Sequence, residues 1–229
     1  MLTDVERFSS YRRLCRRMNV FFTRYLAVYC RHCQEVMARI PDELAGWRLA
    51  AGVYPGCCHR GAGDLFRLEG VSGPAVLPPG LVARIQAARR LRLAAAGQDG
   101  CSPVYRLVNP ATGQSLEGEH CRYFGRFGCR LGDLKGPLCL DFICPPIRAD
   151  LLAVTGGREE LLGPEHDFLW LYRAMAVIGY GSAAAVAAEF AALERRLAAL
   201  AAAGAAFLGG VEADSLFHHF RRVPVPVAR

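Results

Sequence analysis

Ten cysteines stand in a chain of 229 residues, and their grouping decides what chemistry the chain can carry. Cys121, Cys129, Cys139 and Cys144 fall within one short stretch, separated by loops that contain glycine. Thiols this close in sequence can converge on one centre without long-range folding. Thiolate sulfur is soft, so such a set selects zinc or an iron–sulfur cluster over hard cations. Cys144 is followed by Pro145, and a Cys-Pro step closes ferredoxin-type cluster runs. The spacings are wider than the short pairs of ferredoxins and zinc ribbons. Gly56-Cys57-Cys58-His59 lies in a Gly/Pro-rich loop and offers one or two further sulfurs. His59 is left off the ligand set, because a lone histidine beside cysteines is more often a hydrogen-bonding or surface residue.

Two other places read differently. Cys30-Arg31-His32-Cys33 is a C-x-x-C with a histidine inside it, a pattern that serves metal binding or redox chemistry when basic neighbours lower the thiol pKa. It also sits inside an amphipathic helical pattern, where cysteine acts as a small hydrophobe. Cys15 falls near the same apolar stripe with no cysteine close by, and is expected in the core.

The elements that must position these thiols are mostly helical. Val5, Phe8, Tyr11, Leu14, Met18 and Phe21 recur at three- and four-residue spacing, and the pattern continues through Tyr25, Val28, Val36 and Ile40. Most of the arginines from Arg12 to Arg39 lie off that stripe. Pro41-Asp42-Glu43 reads as the start of a short second helix closing near Gly52. Gly52 to Gly80 reads as irregular loop, and Leu81 to Ala96 as a helix stopped by Gly97. Val104 to Val108 and Gln114 to Glu117, joined by Asn109-Pro110-Ala111-Thr112-Gly113, predict a hairpin. Residues 119–147 show little periodicity, and a metal is the obvious means of fixing them. Ile147 to Val154, Glu165 to Ile178 and Ser182 to Leu208 read as helices packing on the first one. The expected fold is mainly α: a helical scaffold, a small β-hairpin and an irregular cysteine-rich metal-binding segment. It is read as one domain, with N-terminal helices over 1–52, the cysteine-rich region over 53–147, C-terminal helices over 148–210 and a tail over 211–229.

Bulk properties narrow the class. Apolar residues make up 52% and charged residues 21%, the balance of a globular protein. The net charge of +7 is carried almost wholly by arginine, since Lys135 is the only lysine. An Arg- and Ala-rich, Lys-poor chain follows from GC-rich coding, so no nucleic-acid partner is expected. The charged N-terminus lacks the apolar run of a signal peptide, and the apolar stretch Phe168 to Leu208 is broken by Arg173, Glu189, Glu194, Arg195 and Arg196. A cytoplasmic location with no membrane span is therefore expected. In a reducing compartment cysteines at this density read as metal ligands or redox groups rather than disulfides, although the even count would permit five.

The region from Cys101 to Pro145 resembles the zinc- or iron-chelating cysteine-cluster family (CxxCxxCC, YkgJ-type). Cys121-Arg122-Tyr123-Phe124 is similar to the family's C-x-x-L element, and Cys129-Arg130-Leu131 to its C-x-I element. Lys135-Gly136-Pro137-Leu138-Cys139-Leu140-Asp141-Phe142 is similar to R-P-x-x-C-R-x-F. The resemblance implies that Cys101 takes the first of the later positions, Cys57-Cys58 the double cysteine, and Cys30 and Cys33 the preceding pair. The chain departs from the family in the long separation between Cys33 and Cys57, in Lys135-Gly136-Pro137 where the family has Arg-Pro, and in the additional Cys144.

The expected metal ligands are thus Cys57, Cys58, Cys101, Cys121, Cys129, Cys139 and Cys144, with Cys30 and Cys33. The leading expectation is a [4Fe–4S] iron–sulfur protein acting in electron transfer, redox sensing or a cluster-dependent reaction with an unidentified protein or redox partner. Ten cysteines exceed what one tetrahedral zinc takes, and Tyr123, Phe124, Phe127 and Phe142 could shield a cluster. The alternative is a structural Zn²⁺ module that fixes loops for partner binding. A third reading is a protein-modifying enzyme, because some relatives of the cysteine-cluster family are linked to lysine methylation. Nothing in the chain resembles a methyl-donor site, and its glycine loops lack a phosphate-cradling pattern.

Overall fold

The computed structural model describes residues 2–21, 47–51, 77–96, 104–119, 121, 123–125, 128–141, 152 and 169–209. Helix α1 spans Asp4–Phe21 and opens on a reciprocal cap. The Glu6 amide donates to Thr3 Oγ1, and the Thr3 amide donates to Glu6 Oε2 at 2.7 Å. Two amides at the helix start are thereby satisfied by the Thr-x-x-Glu spacing. The apolar stripe of α1 is buried as its spacing predicts: Tyr11, Leu14, Cys15 and Met18 have no exposed surface. The cysteine pair Cys30 and Cys33, in the continuation of this pattern, lies outside the described residues.

Helix α2 covers Pro79–Ala96, with proline in the first turn, where its missing N–H costs nothing. Helices α4 (Leu169–Tyr180) and α5 (Ala183–Gly209) are joined by Gly181-Ser182 and share one core. A Cβ at Gly181 would stand 2.6 Å from the Val177 carbonyl oxygen, so only glycine fits this tight exit. Ser182 then caps α5 through its Oγ, which accepts from the Ala185 amide. The C-terminal helices pack on α1, as expected: Leu14 and Met18 share one core with Leu171, Met175, Phe190 and Leu193. Arginines tie the same faces together. Arg7 donates from the buried side to the Ile178 carbonyl at the end of α4, Arg13 lies over the Phe190 ring, and Arg17 pairs with Glu194 at 2.6 Å. The basic residues of α1 are therefore cross-links between helices as well as a solvated surface.

The sheet is larger than the expected hairpin. Strands β2 (Val104–Val108) and β3 (Ser115–Glu119) pair antiparallel, with Val108 opposite Ser115. Their turn is held by Asn109: its carbonyl accepts from Gly113, and its Oδ1 accepts from Ala111. Gly113 takes a φ of +71°, which glycine adopts without strain. A third strand, β1 (Arg48–Ala51), pairs antiparallel with β2 on its other edge, so the order is β1-β2-β3. This corrects the short helix expected up to Gly52, at least over residues 48–51; residues 41–46 lie outside the described set. Arg-Leu-Ala-Ala is a helix-favouring run, and long-range ladder bonds to Arg106, Leu107 and Val108 override it. Tyr105 and Leu107 point to the buried side of β2, and the Tyr105 ring covers Gly118 on the neighbouring strand.

Beyond β3 the chain forms only short pieces: β4 (Phe124–Gly125), β5 (Gly128–Cys129), a 3-10 turn over Gly132–Leu134 and α3 (Pro137–Asp141). The expected irregular character of residues 119–147 holds over those described. Among the described residues, no helix is long and apolar enough to cross a membrane.

Candidate metal-binding segment and its arginine clamp

Short strands and a single helical turn leave most backbone groups of this segment outside regular ladders, and side chains from the helices take them up. The anchors are side chains of α1 and α2 that take up the carbonyls of the 3-10 turn one after another. Arg92 donates to Leu131 O and Asn19 Nδ2 to Gly132 O at 2.8 Å. Arg89 Nε donates to Leu134 O at 2.7 Å, and Tyr11 donates its hydroxyl to Lys135 O. The Cys15 thiol also points at Lys135 O, 3.7 Å away. Arg89 and Tyr11 reach their targets from almost fully buried positions, so these carbonyls are satisfied where water does not reach.

Asp133 is the charged centre of the clamp. Its Oδ2 accepts from Arg12 at 2.7 Å and lies 3.4 Å from Arg16, and its Oδ1 accepts from Arg92 at 2.7 Å. Partial burial pushes the Asp133 carboxyl up, but hydrogen bonds and charge from Arg92 and Arg12 outweigh it and hold the carboxyl below its ordinary value. Lys135 Nζ donates to Asn19 Oδ1 at 2.7 Å, closing the network on α1. Gly132 is required within it: its φ is +53°, and a Cβ there would crowd the Arg92 guanidinium at 3.1 Å. Leu134 and Leu140 then insert into the main core on either side of Lys135.

The clamp fixes the cysteine-bearing segment from its middle. Cys121 is buried with Tyr123 and Leu131, and Leu93 of α2 packs on them; Arg89 lies over the Tyr123 ring. Cys129 is exposed on β5, opposite Phe124 in register, and the Arg130 amide extends the ladder to Tyr123 O. Cys139 is half-buried in α3, next to the fully buried Leu140. The expected ligand Cys121 thus precedes the β4–β5 pair, Cys129 ends it, and Cys139 follows the clamped turn. Among the described residues, no three His, Cys, Asp or Glu side chains come together in a group that could hold a metal ion. Cys57, Cys58, Cys101 and Cys144, like Cys30 and Cys33, lie outside the described residues.

Cys15 is the clearest case among the thiols. It is fully buried in the main core, as its place on the apolar stripe predicts, and burial pushes its thiol up to about 12. A thiol that stays protonated at neutral pH is neither nucleophile nor ligand.

Sequence reasoning passed over the residues of the clamp. Leu131-Gly132-Asp133-Leu134 looks like one more glycine turn, and only the partners more than a hundred positions away on α1 reveal its role. One local signal was available: Arg89 and Arg92 are three apart, on one face of α2.

Comparison of the chain with protein-family models, with curated proteins and with solved structures gave no match.

Proposed function

We propose that this protein is a cysteine-ligated metalloprotein and that its centre is an iron–sulfur cluster, [4Fe–4S], serving electron transfer, redox sensing or a cluster-dependent reaction. The observation that carries this reading is the contrast between Cys15 and the thiols of Cys129 and Cys139. Cys15 is sealed in the core and protonated, whereas Cys129 is exposed on a two-residue strand and Cys139 half-buried on a single helical turn. A segment of short strands and single turns, held at its middle by polar anchors, is suited to completion by a metal. Cys121, Cys129 and Cys139 would hold the centre, with further thiolates from Cys57, Cys58, Cys101 or Cys144 and from the pair Cys30 and Cys33. Such a cluster takes four thiolates, so its donor chemistry fits the residues at hand. A bound cluster supplies a one-electron redox couple. The protein's own part is to exclude water, with Tyr123 and Leu131 packed beside Cys121.

A structural Zn²⁺ is the second reading, favoured by the two-residue length of β4 and β5, since closed thiolate zinc contributes folding free energy directly. Resemblance to the cysteine-cluster family supports both metals equally.

The test compares Cys129→Ser and Cys139→Ser with Cys15→Ala, measuring metal and acid-labile sulfide per chain and far-UV circular dichroism. The two serine variants are expected to lose metal while keeping helix content, and Cys15→Ala to keep its metal. Full metal content in Cys139→Ser would remove Cys139 from the ligand set, and metal loss in Cys15→Ala would overturn the division of thiols.

A further inference from the structure

We propose that the arginine cluster over Asp133 is a binding site for a doubly charged oxyanion, a phosphate or a phosphate monoester. Arg12 and Arg16 of α1 and Arg92 of α2 converge on the Asp133 carboxylate. The carboxylate lies at the bottom, its side chain 11% exposed, while the side chains of Arg12, Arg92 and Arg16 are 38%, 33% and 57% exposed. Three guanidinium groups thus stand between one largely covered carboxylate and solvent, and among the described residues no second acid is paired with any of them.

Elsewhere among the described residues, no more than two arginines gather on one carboxylate. Arg17 has Glu194 to itself, and Arg173 and Arg196 share Glu189. The acids in the first turn of α1 are remote from the cluster, and Glu6 is committed to capping Thr3. The clamp itself needs only two arginines. Arg12 takes one carboxylate oxygen, and Arg92 takes the other together with the Leu131 carbonyl. Arg16 adds one long contact of 3.4 Å and stands four residues from Arg12 on the same helix, an arrangement in which like charges repel. Its position is explained by a ligand that all three forks can grip.

The chemistry of the forks selects that ligand. Planar guanidinium groups bind phosphate oxygens through paired, charge-assisted hydrogen bonds, and three converging forks favour a ligand of high negative charge. Arg12 and Arg92 are already fixed by Asp133, so binding immobilises little beyond Arg16. This site does not depend on any metal centre.

The test uses the full chain and inorganic phosphate, with thermal unfolding and titration calorimetry read against sodium chloride at matched ionic strength. Phosphate is expected to raise Tm beyond chloride and to saturate. Arg16→Ala is expected to unfold at the wild-type Tm in chloride and to bind phosphate about tenfold or more weakly, the loss of one charge-assisted partner. Arg84→Ala, at an exposed position of α2, should bind as the wild type does. Phenyl phosphate in a parallel titration separates an ester ligand from the free anion, and binding of either supports the site. Phosphate acting no differently from chloride, with phenyl phosphate silent, overturns it, as does an Arg16→Ala variant that binds like wild type.

Discussion

Replacing Asp133 with asparagine removes the charge on which Arg12, Arg16 and Arg92 converge while keeping the side-chain shape. Breaking a fully buried ion pair by removing one partner costs about 3–5 kcal/mol, whereas an exposed pair contributes about 0.2–1 kcal/mol. Asp133 is nearly buried, and its partners are one-third to more than one-half exposed, which places the loss between those limits, at about 2 kcal/mol. For a chain of this length the change corresponds to a fall in Tm of about 4–8 °C. The pH dependence is a second, sharper signature. A carboxyl that titrates lower in the folded than in the unfolded protein adds stability above its unfolded pKa, and the arginines hold Asp133 in that condition. The contribution is therefore complete at pH 7 and is lost as pH falls through the folded pKa. The stability gap between wild type and Asp133→Asn should accordingly begin to close only below about pH 4. Urea unfolding of both proteins across pH 7 to pH 3 measures this directly. A gap below about 0.5 kcal/mol at pH 7, the range of ordinary surface substitutions, would refute the clamp as an anchor. So would a gap that stays constant into acid.

Two further outcomes follow from the same region. Tyr11→Phe removes the hydroxyl that donates to Lys135 O, so urea unfolding should show a loss of about 1–2 kcal/mol with an unchanged m-value. Iodoacetamide at pH 8 should leave Cys15 unmodified in the folded protein and modify it after denaturation, because burial holds its thiol at about 12. Peptide mass spectrometry reads this, and labelling of native Cys15 would contradict its burial.

The helices were legible because their signals are local. The α1 stripe, the Leu81–Ala96 run of α2 and the break before Ser182 between α4 and α5 all appear within one or two turns of sequence, although α2 starts at Pro79, inside the stretch read as loop. The turn at Asn109–Gly113 was equally local. Strand β1 was not, since Arg48-Leu49-Ala50-Ala51 prefers helix by itself and becomes a strand only through pairing with Arg106, Leu107 and Val108. The clamp was hidden for the same reason. No window around Asp133 contains Arg12 or Arg92, and the position of the α1 arginines off the apolar stripe names no partner for them. Of the thiols, spacing placed Cys15 in the core through the apolar stripe, a pattern of the scaffold. Spacing has no such hold on Cys121, Cys129 and Cys139, whose placement comes from the clamp and two short strands rather than from periodicity.

The central claim is a thiolate-bound metal, and the most direct measurement is iron, zinc and acid-labile sulfide content of the full chain purified without oxygen, with its visible spectrum. The account predicts about four irons and about four sulfides per chain, with brown absorbance that bleaches on reduction. About one zinc with no sulfide would move the function to the structural-zinc reading. A colourless protein with neither metal, folded to the same helix content, would contradict the account.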